Sequence, residues 1–236
     1  LETHRAGAAA PPSPSSRLAF RQGDEIGELA RRELPDGVLV EPPGGLAEAL
    51  CLTRELVAAR PARPLFEATF EHQGVLVRAD LLLPDDGGWT LAEVKSSGSV
   101  KGYHFEDVAI QRWVLAGAGV PLKRVELWHL DTAWTYPGCG RYEGLLVRND
   151  LDLPTRALEQ QVPGWAAAAK RTAEGDEPAI AMGDQCTSPF SCPFAAHCAA
   201  QAGPRPEYPV SLLPNNVGKK LAAQLAAEGY RDLREV

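Results

Sequence analysis

GVLVRAD (residues 74–80) and TLAEVK (residues 90–95) are the two segments that decide the predicted fold of this chain. Each is a short apolar run with a polar end, a pattern typical of strands that leave the core at the edge of a sheet. Side chains alternate along a strand, so we expect Glu93 and Lys95 to share one face. The sequence therefore predicts that a carboxylate of the first strand, Asp80, lies beside a carboxylate and an amine of the second.

The surrounding sequence predicts an α/β fold: a central mixed sheet flanked by helices, with a C-terminal cysteine loop and a short helical tail. Residues 6–16 are rich in Ala, Pro and Ser and are expected to form a flexible surface segment. Apolar residues at helical spacing predict helices over 17–34, 46–59, 104–117 and 153–173, and a helical tail over 217–236 broken at Gly229. Apolar runs and period-two alternation predict strands over 38–40, 65–72, 75–83, 89–94 and 125–130.

The composition is that of an ordinary globular protein, since 44% of the 236 residues are hydrophobic and 23% are charged. No apolar run reaches the ~20 residues that span a membrane and no signal peptide is visible, so we expect no membrane partner and a cytoplasmic location. The net charge of −7 argues against a protein that coats nucleic acid, but not against one that binds phosphate through a metal ion. Because residue 1 is leucine, we expect the chain to begin inside a longer sequence or to be processed.

The acidic residues and the lysine have the chemistry of a divalent-metal site for hydrolysis. Two neighbouring carboxylates, here Asp80 and Glu93, repel each other unless a cation lies between them, and such oxygen ligands favour Mg²⁺ or Mn²⁺. The backbone carbonyl of Val94 is a candidate to complete the oxygen shell, and Lys95 can orient a water and offset charge on a phosphate. Gln111, on the following helix, adds an amide that can hold a phosphate or a metal-bound water. The alternative is a solvent-exposed strand edge and an ordinary exposed glutamine, because Glu-x-Lys is a common sequence.

In their order along the chain and in the strands and helix predicted to carry them, these four residues resemble the motif of the RecB-like branch of the PD-(D/E)xK nucleases. The segment EVKSSGSVKGYHFEDVAIQRWVLAGAG, residues 93–119, is similar to an uncharacterised bacterial group within that branch. The resemblance covers the chain from the first helix to the last cysteine. It implies a restriction-endonuclease-like sheet, Mg²⁺ or Mn²⁺, and exonuclease-like hydrolysis of DNA phosphodiester bonds in DNA repair or defence. It also implies that Asp80 and Glu93 are metal ligands, that Lys95 is the catalytic lysine and that Gln111 is the glutamine of the helix.

Two positions differ from the pattern of that branch. In many relatives the first helix supplies a histidine to the metal, and Gly27 stands at that point, with Glu28 beside it as a substitute ligand or, as we prefer, a solvent-exposed acid. The aromatic residue expected four positions after the glutamine is Leu115. His104 is expected to start its helix rather than to bind a metal. The missing histidine and the acidic net charge motivate an alternative function, a catalytically weak or inactive nuclease-fold module that binds DNA or a partner protein.

Three cysteines, Cys186, Cys192 and Cys198, follow one another at equal intervals in a proline-containing loop. Thiolates so placed favour Zn²⁺ or an iron–sulfur cluster, since both prefer soft ligands. His197 is a candidate fourth ligand for zinc, although adjacent residues rarely reach the same metal. A zinc-stabilised scaffold with no nucleic-acid role is a further alternative.

The resemblance points to a [4Fe–4S] cluster, because the iron–sulfur-containing RecB-like nucleases, among them the CRISPR-adaptation exonucleases, use three late cysteines and one far upstream. In the similar bacterial group the upstream cysteine precedes the segment that matches residues 1–5, so we expect an incomplete or empty cluster in this chain. Cys51 and Cys139 are the remaining candidates for a fourth ligand. We expect Cys51 to face the core and Cys139 to be exposed.

The predicted domain organisation is a nuclease domain over residues 1–203, which includes the cysteine cluster, and a linker with a helical tail over residues 204–236. Residues 218–233 faintly resemble half of a helix-hairpin-helix DNA-binding unit, but we expect the tail to lead to a further domain. The expected partners are therefore DNA and a further domain or protein.

Overall fold

The computed structural model describes residues 1–201 and 206–236. Its helices are α1 (Pro14–Arg32), α2 (Leu46–Ala59), α3 (Gly102–Gly117), α4 (Asp152–Glu159), α5 (Val162–Glu174), α6 (Ala195–Gln201) and α7 (Asn215–Ala227). Its strands are β1 (Val38–Leu39), β2 (Leu65–His72), β3 (Val75–Asp85), β4 (Gly88–Lys95), β5 (Leu122–Leu130) and β6 (Leu146–Asp150).

Contacts divide the chain into two compact units. The larger unit is Ser13–Glu174, and the smaller unit combines Leu1–Pro12 with Gly175–Val236. The predicted domain boundary between residues 203 and 204 lies outside the described residues, so the division into a nuclease domain and a tail stays a prediction.

The larger unit contains a six-stranded mixed sheet with the strand order β1-β2-β3-β4-β5-β6. The pairs β1–β2 and β4–β5 are parallel, while β2–β3, β3–β4 and β5–β6 are antiparallel. A two-residue turn joins β2 to β3, and Gln73 and Gly74 both have positive φ there, as in the tight turns that match the twist of a hairpin. The predicted α/β class with a mixed sheet flanked by helices is confirmed.

Helices cover both faces of the sheet, because its strands are apolar on both sides. On one face, Leu65, Leu82 and Leu91 of the sheet pack with α3 residues such as Val108 and Leu115. On the other face a smaller cluster surrounds Ala30 of α1. Its sheet residues are Phe66, Leu81, Ala92 and Trp128, each next in sequence to a residue of the first cluster. This alternation is the reason that the sequence reads as nearly continuous apolar runs.

The strands β2 and β3 change face at one common point. Phe66 packs in the smaller cluster and Ala68 in the larger one, and on β3 Leu81 and Ala79 divide in the same way. A regular strand would place residues two apart on one face, so the alternation is interrupted at the residue between each pair. That residue is acidic in both strands, as described below.

The predicted helices and strands recur with small shifts of their bounds, and two differences have physical causes. The helix expected over 153–173 is two helices, since the chain turns at Gln160–Gln161 before α5 begins with Val162 and Pro163. The strand β6 was not predicted, because its sequence LVRND is mostly polar, as suits the exposed edge of a sheet. At the other end of the chain, α1 already begins at Pro14, capped by the Ser13 hydroxyl.

The smaller unit brings the first residues of the chain to the cysteine segment. The Ala10 N–H donates to the Pro193 carbonyl at 2.8 Å, and Arg5 pairs with Glu177 at 2.7 Å. Its tail is one helix, α7, followed by a 3-10 turn (Leu233–Glu235), rather than a helix pair broken at Gly229. Among the described residues, no helix is long and apolar enough to cross a membrane.

Candidate metal and hydrolysis site

Glu93 and Lys95 lie on the same side of β4 and face α3. The Lys95 Nζ is 2.6 Å from Glu93 Oε1. Gln111 of α3 donates from Nε2 to the other carboxyl oxygen, Glu93 Oε2, at 2.7 Å. Glu93 is 6% exposed and Gln111 is 5% exposed, so both side chains are inside the protein. The structure thus brings together three of the four predicted side chains in one polar cluster, which we call the acidic cluster.

Asp80, the fourth, reaches the cluster from β3. Leu81 pairs with Ala92, so Asp80 and Glu93 are the next residues along the two strands. The Val94 N–H donates to Asp80 Oδ2 at 2.8 Å. Since the N–H and C=O of one strand residue point to the same neighbouring strand, the Val94 carbonyl faces Asp80 as well. The predicted oxygen ligands therefore lie at one junction between two strands.

Glu67 of β2 is a third acid of this cluster, and the sequence reasoning missed it. Phe66 pairs with Leu81 and Ala68 with Ala79, which places Glu67 opposite Asp80. Its φ is +57°, a left-handed conformation that non-glycine residues rarely adopt and that is enriched at functional sites. The signal in the sequence was a single acid within the otherwise apolar run LFEATF.

Asp107 of α3 was also missed, and it holds the lysine from the other side. Its Oδ2 lies 2.7 Å from Lys95 Nζ, so the ammonium is shared between Glu93 and Asp107. Asp107 precedes Gln111 by four residues, a spacing that puts both on one face of a helix. That spacing was visible in the sequence and could have identified Asp107.

Burial and like charge perturb the acids of the cluster. Burial, together with the negative charge of Glu93, raises the pKa of Asp80 well above its ordinary value. Burial also raises the pKa of Glu93, although Lys95 opposes the shift, and raises that of Glu67 against the opposing effect of Arg31. For Lys95, burial acts to lower the pKa but is outweighed by Glu93 and Asp107, so its pKa is raised and the amine stays protonated. Without another cation, the acids hold protons more firmly than exposed carboxyls do.

One buried atom of the cluster has no hydrogen-bond partner, and this supports an oxygen-ligand site. Within the described residues, Gln111 Oε1 is buried and unpaired, while the other end of the same amide bonds Glu93. A buried acceptor without a donor costs about 1–3 kcal/mol, so the arrangement favours a ligand that brings a donor, such as a metal-bound water. Asp80, Glu93 and the Val94 carbonyl supply the hard oxygen ligands that Mg²⁺ and Mn²⁺ prefer. The residue types present are therefore those that suit a divalent ion.

Within residues 1–201 and 206–236, no group of three or more His, Cys, Asp or Glu side chains is arranged to hold a metal ion. The contacts of the acids explain this, because Lys95 and Gln111 occupy the two oxygens of Glu93. Arg31 pairs with Glu67 at 3.0 Å. Binding of a divalent ion would therefore require at least one of these carboxylates to exchange its cationic or amide partner for the metal.

The first helix contributes a cation at the point where the resemblance implies a histidine. A Cβ added to Gly27 would lie 3.7 Å from Arg31 Nη1, the same nitrogen that pairs with Glu67. Arg31 is one turn further along α1, so the guanidinium lies over the glycine. Glu28 pairs with Arg32 at 3.3 Å on the exposed side of the helix, in line with the expectation that it is a solvent-exposed acid.

The other residues singled out in the sequence have structural environments. His104 is in the first turn of α3 and its Nδ1 accepts a hydrogen bond from the Lys101 N–H at 3.1 Å, as expected for a residue that starts a helix. Burial, and next the positive charge of Lys95, lowers its pKa. Leu115 is fully buried in the core, where it packs with residues of the sheet.

The three late cysteines are close in sequence, but the structure does not gather them into a metal site. Cys186 ends a 3-10 turn, the Cys192 N–H donates to the Cys186 carbonyl at 2.9 Å, and Cys198 lies in α6. All three are half-buried free thiols. The expectation that Cys51 faces the core is wrong: it is exposed, on the outer side of α2, as Cys139 is in its loop.

No family model matches this chain, and a comparison with curated proteins gives no match either. The class of site is therefore defined here by its residues and their geometry.

Replacement of Asp80 by asparagine is expected to stabilise the metal-free protein by on the order of 1 kcal/mol at pH 8. The raised pKa means that the folded state binds the Asp80 proton more tightly than the unfolded state does, so wild-type stability falls as pH rises from the ordinary to the raised value. Asparagine does not ionise, so it removes this pH-dependent loss of stability. Its side-chain carbonyl can still accept a hydrogen bond from the Val94 N–H. Thermal unfolding in EDTA between pH 4 and pH 8 measures the difference, which should grow with pH.

The same variant tests metal binding. Addition of Mn²⁺ should raise the unfolding temperature of the wild type, because a ligand that binds only the folded state stabilises it. Addition of Mn²⁺ should not raise the unfolding temperature of Asp80→Asn. An equal response of both proteins to Mn²⁺, or a variant less stable than the wild type in EDTA at pH 8, would contradict this account of Asp80.

Proposed function

We propose that this protein is a divalent-metal-dependent deoxyribonuclease of the RecB-like PD-(D/E)xK type, with a restriction-endonuclease-like sheet. It would hydrolyse DNA phosphodiester bonds, in an exonuclease-like manner, in DNA repair or defence. The observation that carries the proposal is the convergence of Asp80, Glu93, Lys95 and Gln111 in one partly buried polar cluster. Such a cluster adds little to an apolar core, whereas its residue types are those that hydrolysis of a phosphodiester requires.

Asp80, Glu93 and the Val94 carbonyl would hold Mg²⁺ or Mn²⁺. When bound, the divalent ion supplies positive charge to the phosphate and lowers the pKa of a bound water. Lys95 keeps its proton, so it offers N–H donors and a positive charge to the phosphate rather than acting as a base. The unpaired Oε1 of Gln111 can accept a hydrogen bond from a water and hold it in position.

The direct test is incubation of the protein with DNA labelled at the 5′ or the 3′ end, single-stranded and double-stranded, with Mn²⁺, with Mg²⁺ and with EDTA. We expect cleavage that requires the divalent ion. Cleavage of equal rate in EDTA, or no cleavage of any substrate with either ion, would contradict the proposed activity.

A catalytically weak or inactive module that binds DNA or a partner protein is the second candidate. The observation that favours it is the cationic environment of the acids: Arg31 lies beside Gly27, the position at which the resemblance implies a metal-binding histidine, and Lys95 is held by two carboxylates. Side-chain cations that already balance the acids reduce the gain from a bound metal. Binding of DNA in the same assay, without metal-dependent cleavage, would favour this candidate.

We propose that Cys186, Cys192 and Cys198 bind a [4Fe–4S] cluster, with Zn²⁺ as the alternative metal. The proposal is supported by their spacing, which is six residues in both intervals. Because the chain has the three late cysteines but lacks the upstream one, we expect substoichiometric iron and a weak broad absorbance near ~400 nm in protein purified without oxygen. Cys192→Ser should lose the metal, while the matched variant Cys139→Ser should keep it. Zinc without iron would overturn the iron–sulfur assignment, and equal metal content in both variants would overturn the site.

A further inference from the structure

The loop between β5 and β6, residues 131–145, holds three aromatic rings against one another; we call it the aromatic loop. The rings of Trp134 and Tyr142 are 6.1 Å apart with an interplanar angle of 18°, and those of Tyr136 and Tyr142 are 5.4 Å apart at 27°. Tyr136 is 50% exposed and Tyr142 is 37% exposed. Tyr136 and Tyr142 are thus exposed and their rings are nearly parallel, while the ring of Trp134 is nearly parallel to that of Tyr142 and tilted by 46° to that of Tyr136.

Hydrogen bonds within the aromatic loop fix this arrangement. Trp134 Nε1 donates to the Glu143 carbonyl at 3.1 Å, and the Gly140 N–H donates to the Tyr136 hydroxyl at 2.7 Å. At the base of the loop, the Asp131 N–H donates to the Leu145 carbonyl at 2.8 Å. Because the rings are already ordered, a ligand that stacks on them pays little further conformational entropy.

The aromatic loop begins at the same strand end as the acidic cluster. Lys95 pairs with His129 across β4 and β5, and the Leu130 N–H donates to the Ser97 carbonyl at 3.0 Å. One residue further on, a Cβ added to Gly98 would lie 2.5 Å from Thr132 Cγ2. The first residues of the loop are thus in contact with the segment that directly follows Lys95.

The charges of the aromatic loop indicate which part of a DNA strand it can contact. Its charged residues are Asp131, Arg141 and Glu143, so it has no excess of cations for a phosphate backbone. Exposed, ordered aromatic faces bind the faces of unpaired nucleobases, and this stacking does not depend on base sequence. In a duplex those faces are covered by neighbouring base pairs, so only single-stranded DNA offers them.

We propose that the aromatic loop binds unpaired bases of a single-stranded DNA end whose backbone lies at the acidic cluster. The inference rests on the proposed nuclease function and adds to it a surface that contacts the bases of the substrate. Tyr142, which stacks with both other rings, is the central residue of the loop. Phosphate contacts would come from the cluster and the metal, and base contacts from the loop.

The test is the affinity of labelled oligo-dT, measured by fluorescence anisotropy in EDTA, where no cleavage occurs. Tyr142→Leu keeps an apolar side chain but removes the ring, and Phe20→Leu makes the same change at an exposed site on α1. We expect Tyr142→Leu to bind oligo-dT about 10-fold more weakly than the wild type and Phe20→Leu to bind it equally. The dependence of the affinity on salt should have the same slope in all three proteins, because no phosphate contact is lost.

An oligonucleotide of abasic sites separates stacking from damage to the loop, since it keeps the phosphates but lacks bases. Wild type and Tyr142→Leu should bind it equally. An equal 10-fold loss on the abasic strand, equal oligo-dT affinity in Tyr142→Leu and Phe20→Leu, or tighter binding of oligo-rU than of oligo-dT would overturn the proposal.

Failure of the proposed function and failure of this inference give different results. A wild type that cleaves no DNA, combined with a base-dependent loss of oligo-dT affinity in Tyr142→Leu, would refute the nuclease and support the loop as a base-binding surface. The opposite result is a wild type that cleaves single-stranded DNA with Mn²⁺, together with unchanged binding and cleavage in Tyr142→Leu. It would support the proposed nuclease activity and refute the proposed role of the aromatic loop.

Discussion

Lys95→Ala is expected to lower the rate of metal-dependent DNA cleavage at least about 100-fold. The amine is protonated and lies 2.6 Å from Glu93, so it is the cationic donor nearest to the proposed metal ligands. Loss of one such preorganised donor typically costs a factor of about 10² to 10³ in rate. The variant also leaves the buried Glu93 without its cation, which raises the pKa of that carboxyl further and opposes metal binding. Initial rates on end-labelled DNA at saturating Mn²⁺ measure the loss.

Lys123→Ala is the matched control for this experiment. Lys123 is an exposed lysine of β5 and makes no ion pair within the described residues, so its loss should change the rate less than about twofold. Circular dichroism of both variants establishes that they are folded. Equal rates for the wild type and Lys95→Ala would refute the role of Lys95, and an equal loss in both variants would assign the effect to general electrostatics.

Arg112→Met is expected to lower the free energy of unfolding by about 3–5 kcal/mol. Arg112 is 7% exposed and ties α3 to α4 through Asp152 Oδ1 at 2.6 Å and Glu159 Oε2 at 2.8 Å. Removal of Arg112 leaves Glu159 without its cation and Asp152 with only the exposed Arg156, so two partly buried carboxylates lose most of their compensation, which is the costly case. For a protein of this size the unfolding temperature should fall by roughly 6–20 °C. Thermal and urea unfolding measure the change.

Arg156→Ala is the control, because it removes a second arginine from the same carboxylate. Arg156 pairs with Asp152 Oδ2 at 2.8 Å but its side chain is 57% exposed, so we expect a loss below about 1 kcal/mol. Similar losses in Arg112→Met and Arg156→Ala would contradict the argument from burial.

The effect of Arg112→Met should also depend on pH. For Asp152, burial acts to raise the pKa but is outweighed by the hydrogen bonds of Arg112 and Arg156, so its pKa is lowered. A carboxyl with a lowered folded pKa contributes stability above its ordinary pKa, near ~4, and loses that contribution as pH falls through the lowered value. The difference between the wild type and Arg112→Met should therefore shrink in acid.

The sequence predicted the structure well where hydrophobic periodicity and local residue spacing determine it. Strand alternation placed Glu93 and Lys95 on one face, and their 2.6 Å contact shows that they share it. The helix containing Gln111 was predicted at nearly its observed bounds, and its amide does reach Glu93. Local pattern was sufficient in these cases because each pair lies within one strand or joins a strand to the helix that follows it.

Features that depend on distant parts of the chain escaped prediction. Glu67 lies opposite Asp80 and has a positive φ, and nothing within LFEATF distinguishes this conformation from a regular strand. The pairing of Arg31 with Glu67 joins residues 36 apart, so it depends on how α1 packs on the sheet. Cys51 was expected inside because cysteine is often buried, but its position on the outer side of α2 decided its exposure.

The central contacts of the acidic cluster all form within residues 80–111. Asp80 bonds Val94 across 14 residues, Lys95 bonds Asp107 across 12, and Gln111 bonds Glu93 across 18. Short chain separations carry a small loop-closure entropy and favour rapid formation. We therefore expect this segment to acquire its native contacts early in folding, before β6 adds to the sheet edge. Because the cluster assembles from one short segment of the chain, it can keep its geometry while distant loops change in length or sequence. Substrate preference can therefore change while the side chains of the cluster stay the same.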